Sequence, residues 1–205
     1  MVKLSLSLAT ATIMMATVVS AMPSYSQSVW EGDSSYQNAK ECVPGETLKE
    51  GQIFKLKSTE LDTIVSKAGD NIVGGRKGDK GLLDVELCFV ASPFESSCTS
   101  EGNAECVKKD TDYYVRVNQP GDWFITVNND KIGITDNIWT LVLFSLHKGA
   151  NGGLRVSRNL WWTFVAWTTN GAGQQITTEF IKKNDPRQYF TVVIPPKNPA
   201  FQCDE

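Results

Sequence analysis

The chain has 205 residues, with 20 Lys and Arg against 23 Asp and Glu, a single His and a net charge of −3. That mildly acidic balance argues against electrostatic capture of nucleic acid, which needs clustered Lys and Arg. The length suffices for one domain with a substantial core.

The first stretch is a targeting segment rather than part of a fold. Lys3 gives a positive start, residues 4–19 carry no charge, and Val19, Ser20 and Ala21 are the small residues that a signal peptidase favours. Residues 1–21 are expected to be removed on export, leaving a secreted, extracellular protein. A membrane anchor is the competing reading, but the apolar run is shorter than the ~20 residues a bilayer needs, and no later run spans one. Without this segment the chain keeps 19 basic and 23 acidic side chains, a net charge of −4. Residues 22–41, rich in Ser, Tyr, Gln, Asp and Asn, are expected to form a flexible arm.

Residues 42–205 then read as one domain of short apolar runs separated by turn chemistry. The first group of runs covers 53–56, 63–65, 71–73 and 83–90. Between its third and fourth runs, Gly74, Gly75, Gly78 and Gly81 alternate with Arg76, Lys77 and Lys80. This stretch lacks the spacing of a phosphate-binding loop and is expected to be a basic hairpin tip. The second group covers 113–117, 123–127, 131–135 and 139–146. Tyr113, Val115 and Val117 share one strand face. Its fourth run is apolar on both faces, from Trp139 to Leu146, and is expected to be buried from both sides. The third group covers 153–156, 161–167, 175–180 and 188–194, with turns around Arg158 and Asn159, at residues 169–173 and at 182–186. In the second of these runs Trp161 and Trp162 are neighbours and should point to opposite faces. The proline-rich tail from Pro195 to Pro199 cannot extend a central strand.

Four runs recur three times, in units of roughly 35 to 42 residues, with no helical period. Twelve strands in this order resemble a β-trefoil, in which six strands close a barrel and six form a cap of hairpins. A two-sheet sandwich is the alternative all-β arrangement.

Gly45, Leu48, Gly51, Phe54 and Leu56 resemble the opening motif of the Kunitz, soybean-trypsin-inhibitor type of β-trefoil. Where that family has an Asp three residues before the first Gly, this chain has Cys42. The resemblance implies protease inhibition through a loop between the fourth and fifth strands, here residues 92–111. A loop of about twenty residues is either functional or disordered, and Lys108 or Lys109 would suit a trypsin-like primary pocket. The competing reading of these lysines is a solvated loop exit.

Five cysteines in an exported chain imply disulfides. Cys98 and Cys106 bracket a polar loop and are expected to close it. Cys42 and Cys203 can pair if the chain ends meet. Cys88, inside an apolar run, is expected to be a buried free thiol, although pairing of Cys88 with Cys98 or Cys106 is the alternative.

Glycan binding is the second functional expectation, because an exposed ring can stack on a sugar while Asp and Asn take its hydroxyls. Trp161 and Trp162 with Asn159 are the foremost candidates. Trp123 beside Asp122 and Trp139 near Asp136 and Asn137 follow, although most of these tryptophans are expected in the core. A secreted effector or toxin is a further non-enzymatic option. No residue set points to catalysis: His147 has no partner spacing, no cluster has metal-ligand spacing, and Asp84 with Glu86 resemble many solvated strand faces. The expectation is a monomeric binding protein for an extracellular protease or glycan, with no enzymatic activity, cofactor or metal.

Overall fold

The computed structural model describes residues 48–196, apart from 77, 95, 96 and 150–152. The segments expected to be a leader and an arm, residues 1–41, and Cys42, Gly45 and Cys203 therefore lie outside the described residues. Within them the protein is all-β. One antiparallel sheet of 13 strands accounts for the regular structure, supplemented by two short 3₁₀ turns at Ile138–Thr140 and Pro186–Gln188. No helix among the described residues is long and apolar enough to cross a membrane.

The strands are β1 (Lys55–Ser58), β2 (Ile64–Ala68), β3 (Asn71–Gly75), β4 (Leu83–Asp84), β5 (Leu87–Val90), β6 (Asp112–Val117), β7 (Phe124–Asn128), β8 (Lys131–Thr135), β9 (Phe144–Lys148), β10 (Leu154–Leu160), β11 (Thr163–Thr168), β12 (Thr177–Phe180) and β13 (Phe190–Val193). Six of them pair in a circuit that returns to its start. β1 pairs with β13, β13 with β10, β10 with β9, β9 with β6 and β6 with β5. The circuit closes where Phe54, just before β1, exchanges backbone hydrogen bonds of 2.9 and 2.8 Å with Leu87 in β5.

The remaining strands form hairpins. β2–β3, β7–β8 and β11–β12 each pair internally. The hairpins also meet one another, through Asn71↔Gly133, Thr177↔Lys131 and Val73↔Gln175. Gly74 and Gly75 belong to β3 rather than to a basic tip. A Cβ on Gly74 would stand 2.7 Å from the carbonyl oxygen of Gly171, and one on Gly75 would meet the buried Ser66 side chain. The close approach of the β11–β12 connection requires glycine at 74, and the Ser66 side chain of the same hairpin requires it at 75.

The core follows from the alternation. Leu56, Phe89, Val115, Phe144, Leu146 and Val156 are fully buried inside the circuit, and Trp167 packs edge-on against Phe144 at 5.3 Å and Phe190 at 6.4 Å. The opening motif has a clear structural role. Leu48, Phe54 and Leu56 are completely buried, and Gly51 takes φ +72° as its amide hydrogen-bonds Phe89.

Two expected strands are displaced. The 83–90 run splits into β4 and β5, and it is β5 that is buried on both faces, because Cys88 and Val90 pack with Phe124 outside the main core. The 139–146 run is not a two-sided strand. Asn137 accepts the Trp139 amide, and Thr135 and Thr126 bind Thr140, so the chain turns through a 3₁₀ segment and Trp139 is 89% exposed. Turn chemistry at Asp136 and Asn137 overrides the apolar pattern.

Cys98 pairs with Cys88, with Cα atoms 5.7 Å apart, and not with Cys106. Cys88 is therefore no free thiol. Cys106 is also disulfide-bonded; Cys42 and Cys203, proposed as a pair, lie outside the described residues.

Candidate functional site

The stretch from residue 99 to 107, within the loop expected at 92–111, does not stand away from the domain. Its backbone is zipped onto residues 48–53. The amide of Val107 donates to Leu48 at 3.0 Å, those of Asn103 and Thr99 donate to Glu50 and Gly51 at 2.8 Å, and the amides of Glu50 and Ile53 donate back to Glu105 and Thr99. Lys109 is only 3% exposed and is withdrawn from any contact surface. Lys108 keeps a partly exposed side chain, but its ammonium is held by Glu105 at 3.1 Å, which raises its affinity for its proton, and its amide donates to the Tyr113 hydroxyl. Cys98 and Cys106 lie in the 92–111 loop in separate disulfides. Of the two lysines expected at a protease, only Lys108 keeps an accessible side chain.

The tryptophans fall differently. β10 runs on to Leu160 and β11 begins at Thr163, so Trp161 and Trp162 form the two-residue turn between paired strands. They do not alternate across a strand; both stand in solvent, 92% and 84% exposed. The Trp162 amide donates to the Leu160 carbonyl at 2.7 Å, and Trp161 has φ +61°. A bulky aromatic residue in the left-handed region is an outlier that such turns normally avoid by using Gly or Asn. Strain of this kind persists where the side chain is needed.

A cleft of about 360 Å³ lies beside this turn. Its apolar lining is Leu160, Val165 and Phe180. These residues belong together because Val165 pairs with Phe180 across β11 and β12, and because Leu160 and Val165 occupy one face of the β10–β11 hairpin. Period-two alternation sends Asn159 to the opposite face, with its partner Phe164. Asn159 is therefore exposed but separated from the cleft.

Polar groups reach the cleft from two directions. Asp130 comes from the β7–β8 turn, where Asn129 and Asp130 both have positive φ, as a type I′ hairpin turn requires. Its carbonyl accepts the Thr178 amide at 2.8 Å, and its carboxylate lies 3.4 Å from the Thr178 hydroxyl. Glu179 is already engaged by Arg187 at 3.2 Å and Lys182 at 3.5 Å. The wall carrying Phe180 is fixed by the fully buried Gln188, which donates to the Phe180 carbonyl and accepts the Lys182 amide. Asp185 caps the adjoining 3₁₀ turn, and its hydrogen bonds with Arg187 hold its carboxyl below the ordinary aspartate range.

Other sequence candidates take structural roles. Trp123 packs against the core, and its neighbour Asp122 pairs with Arg116. Asp84 pairs with Lys55, and Glu86 accepts the Asn118 amide. His147 lies in β9, nearly buried, with Nδ1 2.9 Å from Asp110. Among the described residues no three His, Cys, Asp or Glu side chains are grouped to hold a metal.

Sequence reasoning found the tryptophan pair but missed Phe180 and Asp130. Only the Asn129–Asp130 turn signal was legible; that a hairpin from the second unit would lie beside one from the third was not. No family model matches the chain, and no curated protein matches it in sequence.

Proposed function

We propose that the protein is a secreted β-trefoil that binds glycans through Trp161, Trp162 and the adjoining cleft. The trefoil reading is supported by the closed circuit of six strands and by three hairpins that pair with one another. Buried Leu48, Phe54 and Leu56 with the left-handed Gly51 support the likeness to the Kunitz-type opening motif. Extracellular localisation rests on the leader in residues 1–21.

The single observation that carries the function is the pair of solvent-exposed tryptophans on a strained two-residue turn. Exposed indole rings offer rigid, flat surfaces that stack on the apolar face of a pyranose, at a small cost in side-chain entropy. Neither ring holds the core, so stability does not account for them. A glycan array probed with the purified oxidised protein is the test. Binding should be present, and Trp161→Ala and Trp162→Ala should each weaken it about tenfold or more, as aromatic contact residues do on truncation. An array without a single retained glycan would end this reading.

Protease inhibition is the second reading. It is favoured by the Cys88–Cys98 disulfide, which closes a loop holding Phe94 at 76% exposure. A large apolar contact residue would suit a chymotrypsin-like pocket rather than a trypsin-like one. Titration against a panel of serine and cysteine proteases tests it, and Phe94→Ala should remove any inhibition found.

A further inference from the structure

We infer that the cleft beside the tryptophan turn is an acetamido pocket, so that the ligand is a 2-acetamido sugar rather than a plain hexose or a cationic amino sugar. This rests on the glycan reading above. The volume, about 360 Å³, lies at the lower end of small-ligand pockets; it takes an acetamido group with part of its ring while the rest of the sugar stays on the tryptophans.

The chemistry of the lining selects among sugars. A plain hexose carries a hydroxyl at nearly every ring position, and turning that edge toward Leu160, Val165 and Phe180 would leave hydroxyls unpaired at a desolvation cost. An acetamido group divides its polarity to match this cleft. Its methyl packs on the three apolar side chains, its amide N–H donates to the Asp130 carboxylate, and its carbonyl accepts from the hydroxyl of Thr163. Asp130 suits the acceptor role because, among the described residues, the one side-chain donor it meets is the Thr178 hydroxyl, at 3.4 Å. An ammonium group in place of the acetamide would pair with the Asp130 carboxylate but lose the methyl contacts on all three apolar side chains and the hydrogen bond of the acetamido carbonyl. Glu179 offers it little compensation, since Arg187 and Lys182 already neutralise that carboxylate.

The experiment compares three tetrasaccharides with one linkage, those of N-acetylglucosamine, glucosamine and glucose, by isothermal titration against the full oxidised protein. The acetylated tetramer should bind at least about tenfold more tightly than either of the others. Asp130→Asn keeps a residue tolerant of the left-handed turn, and Phe180→Ala removes a side chain that is 67% exposed, so both variants should fold. Each should reduce the acetyl preference severalfold while binding through Trp161 and Trp162 persists. Equal affinity for the acetylated and glucose tetramers, or tighter binding of the glucosamine tetramer, would overturn the pocket while leaving the glycan reading in place. Preference retained in full by both variants would also overturn it. Failure of all three tetramers together with an empty glycan array would remove both.

Discussion

Trp161→Asn separates what the turn does for the fold from what it does for a ligand. Trp161 sits at φ +61°, with the Trp162 amide bonded to the Leu160 carbonyl at 2.7 Å. A non-glycine residue in this region carries a penalty of about 1 to 2 kcal/mol, which Asn, with its short polar side chain, largely avoids. The opposing loss is small. The indole is 92% exposed, so of a side chain burying ~250 Å² at most, roughly 20 Å² is given up, about 0.5 kcal/mol. The net expectation is a gain of about 0.5 to 1.5 kcal/mol. For a domain of this size 1 kcal/mol corresponds to about 2 to 4 °C in Tm. Trp162 is not in the left-handed region, so Trp162→Asn should bring no such gain. Thermal melts followed by circular dichroism read the stability, and titration with whichever glycan the array retains reads the function; the variant should be more stable and bind at least about tenfold more weakly. A Tm lowered by more than about 2 °C would mean that the ring supports the fold and that its strain has been misjudged. A raised Tm with unchanged binding would detach the strain from function and refute the site.

Two further outcomes test the framework around the site. Peptide mapping without reductant should find Cys88 joined to Cys98, and a peptide joining Cys98 to Cys106 would refute that pairing. Replacing both Cys88 and Cys98 with Ala should cost about 3 kcal/mol, the closure entropy of a loop with a sequence separation of 10, read as a lower denaturation midpoint. Asp185→Asn should cost up to about 1 kcal/mol at pH 7, since Asn still accepts the Arg187 amide at the cap of the 3₁₀ turn but loses the ion pair with the Arg187 guanidinium. The hydrogen bonds to Arg187 lower this pKa below its ordinary 3.8 in the folded state. Its contribution is therefore present above pH 3.8 and is lost as the pH falls through the lower folded value. Melts of wild type and variant should differ at neutral pH and converge in acid; a gap that persists at pH 2 would show that the charge is not its source.

The all-β architecture was legible because its signals are short-range. Alternation at Tyr113, Val115 and Val117 appears as the buried face of β6, and glycines with turn residues mark most hairpins. The misread elements share one cause. The 139–146 run looked like a buried strand by hydropathy, yet Asn137 and Thr135 supply local hydrogen bonds that hold a 3₁₀ turn and leave Trp139 in water. Trp161 and Trp162 looked like the start of a strand because the turn signal nearby falls on Arg158 and Asn159, which lie inside β10, two residues ahead of the actual turn. Apolar pattern reports where burial is available, but it cannot report that a side chain is kept outside against its own hydrophobicity.

Trp139, Trp161 and Trp162 are the three most exposed large apolar side chains among the described residues, and two turns carry them. The register Ser157↔Ser145 places the end of β10 and the start of β9 at the same end of one strand pair. The two aromatic turns therefore leave the sheet from that end, although more than twenty residues separate them in the chain. Trp139 gains no strain from its position, being held by ordinary capping bonds, whereas Trp161 occupies a backbone conformation that disfavours it. An exposed aromatic ring alone is common enough to need no explanation. One held at an energetic disadvantage, beside a cleft assembled from two of the repeated hairpins, does need one. For that reason the Trp161 turn, rather than the equally exposed Trp139 turn, is where ligand binding should fail first on substitution.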